Sequence, residues 1–519
     1  MSFILMKFSR RRFFGSGVAL STALVSPFGT GCSDASDDGP PAFMHGVASG
    51  DPLPEAVILW TRVMPDGQAE VSVDWEIATD IAFAQVVGRG TAKATADHDF
   101  TVKVDATGLT PGTTYFYRFR ARGKTSPVGR TKTAPRGANI HARFGVVACA
   151  SFAQGYFHVY RLLARRADLD AVIHLGDYIY EYGGTDDGEV RTYEPNHEIL
   201  TLEDYRARYA QYRRDKDLQA VHQQHPFIAV WDDHEFANNA YKDGAGNHTP
   251  GAEGDWNARK AVAAQVYFEW MPIREQGDRK IFRSLAYGDL AELIMLDTRI
   301  WGRDAQVSGN SPDVNSDTRT LLGADQEAWF DDRLKTSKAQ WKVVGQQVMM
   351  GQLPQFPNGD SWDGYAKSRE RFFNVLQQNK IKDVVVITGD IHTSWALDLT
   401  LDPKSAAYDP ATGAGAFAVE FITPGVTSPG LPGLGGLEAG LLKDNRHMRY
   451  TDITRRGYFV LDLTVDRAQA VFFHIPGVDM VDLPAEEMSG AYATRKGVSN
   501  VQADPLPALG ADGPPLAPT

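Results

Sequence analysis

Four short stretches of this chain carry side chains able to hold metal ions or move protons, and each follows an apolar run. Cys149 follows Phe144-Gly145-Val146-Val147-Ala148, and Gly176-Asp177-Tyr178-Ile179-Tyr180 follows Ala171-Val172-Ile173-His174-Leu175. Trp231-Asp232-Asp233-His234-Glu235 follows Phe227-Ile228-Ala229-Val230, and Gly389-Asp390-Ile391-His392 follows Val384-Val385-Val386-Ile387. A short apolar run that stops at Gly-Asp reads as a buried strand projecting an acid from its C-terminal edge. In open α/β sheets ligands bind at that edge. Tyr180 can return a phenol toward Asp177, and a carboxylate with a phenolate suits a hard ion such as iron(III). One such Asp is an ordinary turn or cap residue. Carboxylates, a phenol, a thiol and imidazoles at four strand ends are more than caps require. Asp390 and His392 are two apart, so an extended segment points both to one side and can offer one ligand to each of two adjacent ions.

The elements that must position these residues form two styles. Residues 42–137 show short alternating runs with turn signals, such as Ala56-Val57-Ile58-Leu59-Trp60, Val71-Ser72-Val73-Asp74-Trp75 and Thr114-Tyr115-Phe116-Tyr117. They read as an N-terminal β-sandwich of fibronectin or immunoglobulin type, to which no chemistry is assigned. After residue 137, apolar strands alternate with helical stretches such as Leu202 to Arg214 and Asp325 to Ser337. This is an α/β layered domain with a buried sheet, expected over 138–488. Glycine-rich 413–440 reads as a long loop, and 489–519 as a Pro-ended tail able to act as a lid.

The order Cys…Gly-Asp-x-x-Tyr…Asp-His-Glu…Gly-Asp-x-His resembles the calcineurin-like metallophosphoesterases, above all their PhoD-type alkaline phosphatase branch. The wider superfamily carries Asp, Gly-Asn-His and Gly-His-x-His where this chain has Cys149, Asp233-His234 and Asp390-Ile391-His392. Gly46-Val47-Ala48-Ser49-Gly50-Asp51-Pro52 and Leu59-Trp60-Thr61-Arg62 are similar to that branch's N-terminal domain. The resemblance implies a layered β-sandwich metallophosphoesterase domain and an iron(III) held by Cys149, Asp177, Tyr180 and His392. It implies one or two calcium ions alongside, with Asp177 bridging, Asp390 on the calcium side, and Asp233, or else Asn238 or Asn239, completing it. Thiolate and phenolate suit a trivalent ion, and carboxylate and amide oxygens suit calcium. The mid-chain His of relatives falls near Gln346 or Gln347. The implied reaction is in-line attack of a metal-activated water or hydroxide on phosphate mono- and diesters. His234 is the candidate to protonate the leaving oxygen. The alternatives are a phospholipase D-like phosphodiesterase and a non-enzymatic surface or binding protein.

Weaker signals complete the reading. Arg206 and Arg299 are candidates to reach a bound phosphate, against the ordinary role of arginines that solvate a helix or pair with acids. Arg303 shares that split, whereas His158, His174 and Trp395 read as structural. A net charge of -12 over 519 residues argues against a nucleic-acid partner. Ser9-Arg10-Arg11-Arg12-Phe13-Phe14 before a mildly apolar stretch resembles a twin-arginine export signal, with a linker to residue 41. Its partners are then the export machinery and small phosphate esters, its place is periplasmic or extracellular, and a monomer is expected. Cys32 is a lipidation candidate, although Gly29 stands where an apolar residue belongs. With Cys32 removed or lipidated, Cys149 has no disulfide partner and needs another role.

Overall fold

Short, wholly buried apolar strands organise this protein into two stacked sheets, described here from a computed structural model over residues 41–431, 433–504 and 513–518. The arginine-rich N-terminal segment and Cys32 lie outside the described residues. Strands His141–Val147, Ala171–His174 and Pro226–Ala229 run parallel at the centre of a ten-stranded sheet. Strands Ala291–Met295, Trp341–Gln346, Val384–Thr388 and Ala416–Ile422 run parallel in a seven-stranded sheet. Parallel strands covered on both faces must be apolar throughout, as the Val-rich runs are.

The inner faces meet in one core that joins Phe144, Val146 and Ile173 to Leu293, Val343, Ile387 and Phe421. Helices Leu202–Arg214 and Trp256–Trp270 bury Tyr205, Tyr209, Tyr212 and Trp270 in the same core. Helices Gly323–Thr336 and Ala366–Gln378 cover the other face of the seven-stranded sheet through Phe330, Phe372 and Phe373. The helix from Leu202 starts where it does because Thr201 and Asp204 form a reciprocal capping box.

Three expectations need correction. The sandwich read over 42–137 exists, but one of its sheets is not its own. Val47–Leu53 pairs in parallel with Pro226–Ala229, so it, Ala56–Arg62 and Thr101–Thr107 extend the ten-stranded sheet. The five-stranded sheet of Glu70–Ala78, Val86–Thr95, Thr114–Ala121, Lys124–Thr125 and Gly129–Lys132 packs its Val71, Val73 and Tyr117 on their far side. The ten-stranded sheet is therefore shared by segments on both sides of residue 137, where the sequence style changes.

Within 413–440 lies the interior strand Ala416–Ile422, whose Glu420 interrupts the apolar pattern, and at its end begins the helix Glu438–Asp444. At the C-terminus, Glu487–Arg495 spans the expected boundary at 488 as a strand paired with Arg467–Ile475. Residues 513–518 do not cover the site. Ala517 exchanges hydrogen bonds with Gln224, and Gly513 packs on Ala167, both before the strands that carry the acids and so at the opposite sheet edge.

Candidate metal centre

The C-terminal edges of the two sheets converge, and every proposed ligand sits in the first residues beyond a strand. The sheets touch at a bridge between Ala148 and Gly425. From the ten-stranded sheet come Cys149, Asp177 and the Asp232–Asp233 pair, and from the other come Arg299, Asp390, His392 and the 427–429 turn. The backbone departs sharply at these points. Cys149, Asp177, Asp390 and His392 all hold left-handed φ between 56° and 62°. Such conformations cost a non-glycine residue about 1–3 kcal/mol and concentrate where function over-determines geometry. Gly176 permits the closest approach: a Cβ there would lie 2.4 Å from the Asp232 Cβ.

Three overlapping ligand groups result, and Asp177 belongs to two of them. Cys149, Asp177 and His392 place ligand atoms within 4.8 Å of one another, as do Asp177, Asp233 and His234, and Asp232, Asp233 and Asp390. Tyr180 completes the first set, its hydroxyl 3.1 Å from Asp177 Oδ2, 3.4 Å from His392 Nε2 and 2.6 Å from Ser428 Oγ. His392 Nδ1 lies 3.1 Å from the Pro429 carbonyl, which can only accept, so Nε2 keeps its lone pair toward the cluster. Burial, with the charge of His234, lowers His392 to about 4 and keeps it neutral. Asp390 and His392 do fall in different groups, but through two left-handed residues and not through an extended segment.

The electrostatics call for cations. Burial, and after it the charge of Asp177, pushes the Cys149 thiol and Tyr180 phenol well above their usual ranges. Burial raises Asp390 to about 7 although Arg299 opposes it. His234 is committed to Glu181, at 2.6 Å, and Arg299 is shared among carboxylates. Asp177 and Asp233 are left without a full counter-charge, and one Asp232 oxygen has no hydrogen-bond partner. Thiol, phenol, carboxylate and imidazole donors gathered under such charge fit metal ions.

Other expectations meet different fates. Arg299 is fully buried and ion-paired to Asp232, Asp360 and, at 2.7 Å, to Asp390, so it braces the acidic loops. Arg206 is equally committed, with two bonds of 2.8 and 2.7 Å to Glu269 on a neighbouring helix. Arg303 grips Asp360. The Asn238 N–H donates to Glu181 at 2.7 Å, and the Asn239 N–H donates to Asp233 at 2.6 Å. Gln346 and Gln347 are spent on Thr388, Trp362 and Thr298. His174 accepts from the Gly176 N–H, His158 faces the Met480 carbonyl, and Trp395 is core.

Two residues went unread. Glu235 accepts the N–H groups of Asp177 at 3.0 Å, Tyr178 at 2.6 Å and Asp232 at 2.7 Å, tying two ligand loops together. Glu181 holds His234 Nδ1–H and is itself kept near 2, since His234 and its other donors outweigh its burial. The one available signal was its spacing, four residues after Asp177.

A sequence profile of the PhoD-like phosphatase family matches residues 144–472, and one for the N-terminal domain of PhoD-like phosphatases matches residues 30–135. The chain is 38% identical over 465 residues to alkaline phosphatase D of Bacillus subtilis (strain 168), covering 84% of this chain and 78% of that protein. A solved structure of PhoD superposes with a TM-score of 0.82 at 35% identity, covering 92% of this chain and 95% of that one.

Proposed function

The chain belongs to the PhoD-like phosphatase family and is a phosphoric ester hydrolase, and from that premise we propose an exported enzyme that cleaves phosphate mono- and diesters at an iron(III)–calcium centre. The observation that carries this reading is the double membership of Asp177, one carboxylate common to the Cys149–His392 group, which Tyr180 joins, and to a group with Asp233, itself shared with Asp232 and Asp390. Cys149, Tyr180 and His392 would hold iron(III) with it, and Asp233 and Asp390 would hold calcium. Ions held there supply the Lewis acidity that makes water a nucleophile near neutral pH and offsets charge on the phosphoryl oxygens.

The chain's own residues supply the rest. Glu181 keeps the Nδ1 proton of His234, which leaves Nε2 as the ring atom free to protonate the leaving oxygen. Burial opposes the charge on His234, but Glu181, Asp177 and Asp233 outweigh it and hold the imidazole well above its usual range, so it carries the proton it must give. Tyr180 stacks on the His234 ring at 4.1 Å and fixes its plane. Ser428 donates to or accepts from Tyr180 and orients the phenol.

Export through the twin-arginine pathway, with Cys32 as the candidate for lipid attachment, rests on the N-terminal sequence and gives the enzyme a phosphate-scavenging role outside the cytoplasm. Among the described residues no helix is long and apolar enough to cross a membrane. A second reading, cleavage of phospholipid diesters, draws on exposed Leu431, Leu434 and Leu437, which follow the Pro429 turn against His392. The non-enzymatic alternative falls with family membership. The test is assay of purified protein on a soluble monoester, a soluble diester and a phospholipid, before and after chelation. Turnover of the first two that is lost on chelation and restored by calcium supports the proposal, and turnover of phospholipid alone favours the second reading.

A further inference from the structure

Arg456, close to the centre, closes no ion pair among the described residues, although the charge of the exposed Asp479 reaches it. Arg299 and Arg303 pair with Asp360 and its neighbours, and Arg455, next in sequence, pairs with Asp452 at 2.7 Å and Glu487 at 2.8 Å. Arg456 is half-buried at the start of strand Arg456–Thr464 and has no carboxylate within ion-pair distance among the described residues. Its recorded bond runs from Nε to the Thr427 carbonyl at 3.3 Å.

That bond fastens it to the turn on which the first ligand set rests. The N–H groups of Thr427 and Ser428 donate to the Cys149 carbonyl at 3.3 and 3.2 Å. Ser428 Oγ touches Tyr180, and the Pro429 carbonyl takes His392. One three-residue turn thus contacts three of the four residues assigned to iron, and Arg456 hangs from it. The charge of Arg456 also contributes to lowering His392. A half-buried guanidinium that meets its acid, the exposed Asp479, only beyond ion-pair distance keeps donors for an arriving anion.

We propose that Arg456 is a substrate-binding residue that takes an unesterified phosphoryl oxygen and biases the enzyme toward monoesters. A monoester carries one more unesterified oxygen and one more negative charge than a diester, and a planar guanidinium is suited to pair with it. The inference rests on the phosphoesterase reading of this site. It goes beyond that reading by assigning the discrimination between ester classes to a residue outside the ligand sets.

The test uses the metal-loaded enzyme with inorganic phosphate as the probe. Equilibrium dialysis should show phosphate binding weakened about tenfold or more in Arg456→Gln and largely retained in Arg456→Lys, as expected for a charge-assisted hydrogen bond. The same Gln variant should lose about tenfold in kcat/KM on a monoester and much less on a diester, with iron content unchanged. On the wild type, a dicarbonyl reagent should modify Arg456 and saturating phosphate should protect it, a measurement that needs no variant to fold. Equal losses on both ester classes, unaltered phosphate affinity in Arg456→Gln, or modification of Arg456 indifferent to phosphate would each overturn the assignment. A wild type that binds no phosphate at all would instead refute the phosphoesterase reading beneath it.

Discussion

Glu181 Oε2 lies 2.6 Å from His234 Nδ1, in a buried pair whose two members come from different strand ends. Glu181 reaches it from the turn after Asp177, and its other oxygen accepts from the Asn238 N–H at 2.7 Å and the Asn247 amide at 2.9 Å. The carboxylate thereby fixes which ring nitrogen of His234 carries the first proton and where the ring points. Replacing Glu181 with Gln should lower kcat by about tenfold to a thousandfold while leaving iron content unchanged. His234→Ala should lower kcat at least as far, and the double variant no further than His234→Ala, because the two act as a unit. Additive losses would separate them.

Arg299 and Arg206 make a contrasting pair. Arg299→Met strands Asp232 and Asp390 without their cation and leaves Asp360 to Arg303, which should destabilise the fold by about 3–5 kcal/mol and displace Asp390. Arg206→Ala should cost about 2 kcal/mol through Glu269 and leave KM for a monoester unchanged. Chemical denaturation beside steady-state kinetics measures both. A raised KM in Arg206→Ala would restore it as a phosphate ligand.

Gly176→Ala tests the close approach of the two loops. The added Cβ meets Asp232 at 2.4 Å with φ at +108°, a conformation that alanine resists. Expected is a loss of about 3 kcal/mol or more together with reduced metal content. Full metal loading with native stability would show that the Asp177 and Asp232 loops are not held by this contact.

Acid should unfold the protein through histidines far from the centre. Burial lowers His225 to about 3 and His447 and His474 to about 4, against an ordinary value of 6.5. The unfolded chain takes up these protons near pH 6.5 and the folded one does not, so this stability is whole above 6.5 and lost as pH falls toward 4. Each group contributes about 1.4 kcal/mol per pH unit inside that window. Denaturant midpoints at pH 7.5, 6 and 5 should fall in that order, and a flat series would mean the histidines are solvated.

Much of the centre was legible because parallel strands need unbroken apolar runs, and a polar residue that ends such a run stands at a sheet edge. Cys149, Asp177, Asp233 and Asp390 are all visible this way. Their left-handed backbone is not, since nothing in Gly-Asp-x-His announces that two of its residues leave the extended region. Arg299 read as a substrate ligand because sequence shows a charge but not its partners, and its acids lie up to 91 positions away. Strand Ala416–Ile422 was hidden by Glu420, an interior acid raised to about 7 by burial and held by the N–H groups of Met350 and Gly351. The shared sheet of the N-terminal sandwich escaped notice for a similar reason: the pairing of Val47–Leu53 with Pro226–Ala229 is long-range, and alternation within either strand says nothing of its neighbour.

The central claim is that Asp177 joins two unlike ions, one of them an iron marked by Tyr180. The direct measurement is elemental analysis with a visible absorption spectrum of purified wild type and Tyr180→Phe. The account predicts iron and calcium in the wild type, a phenolate-to-iron charge-transfer band, and loss of that band in Tyr180→Phe. A colourless, iron-free wild type with full activity would contradict it.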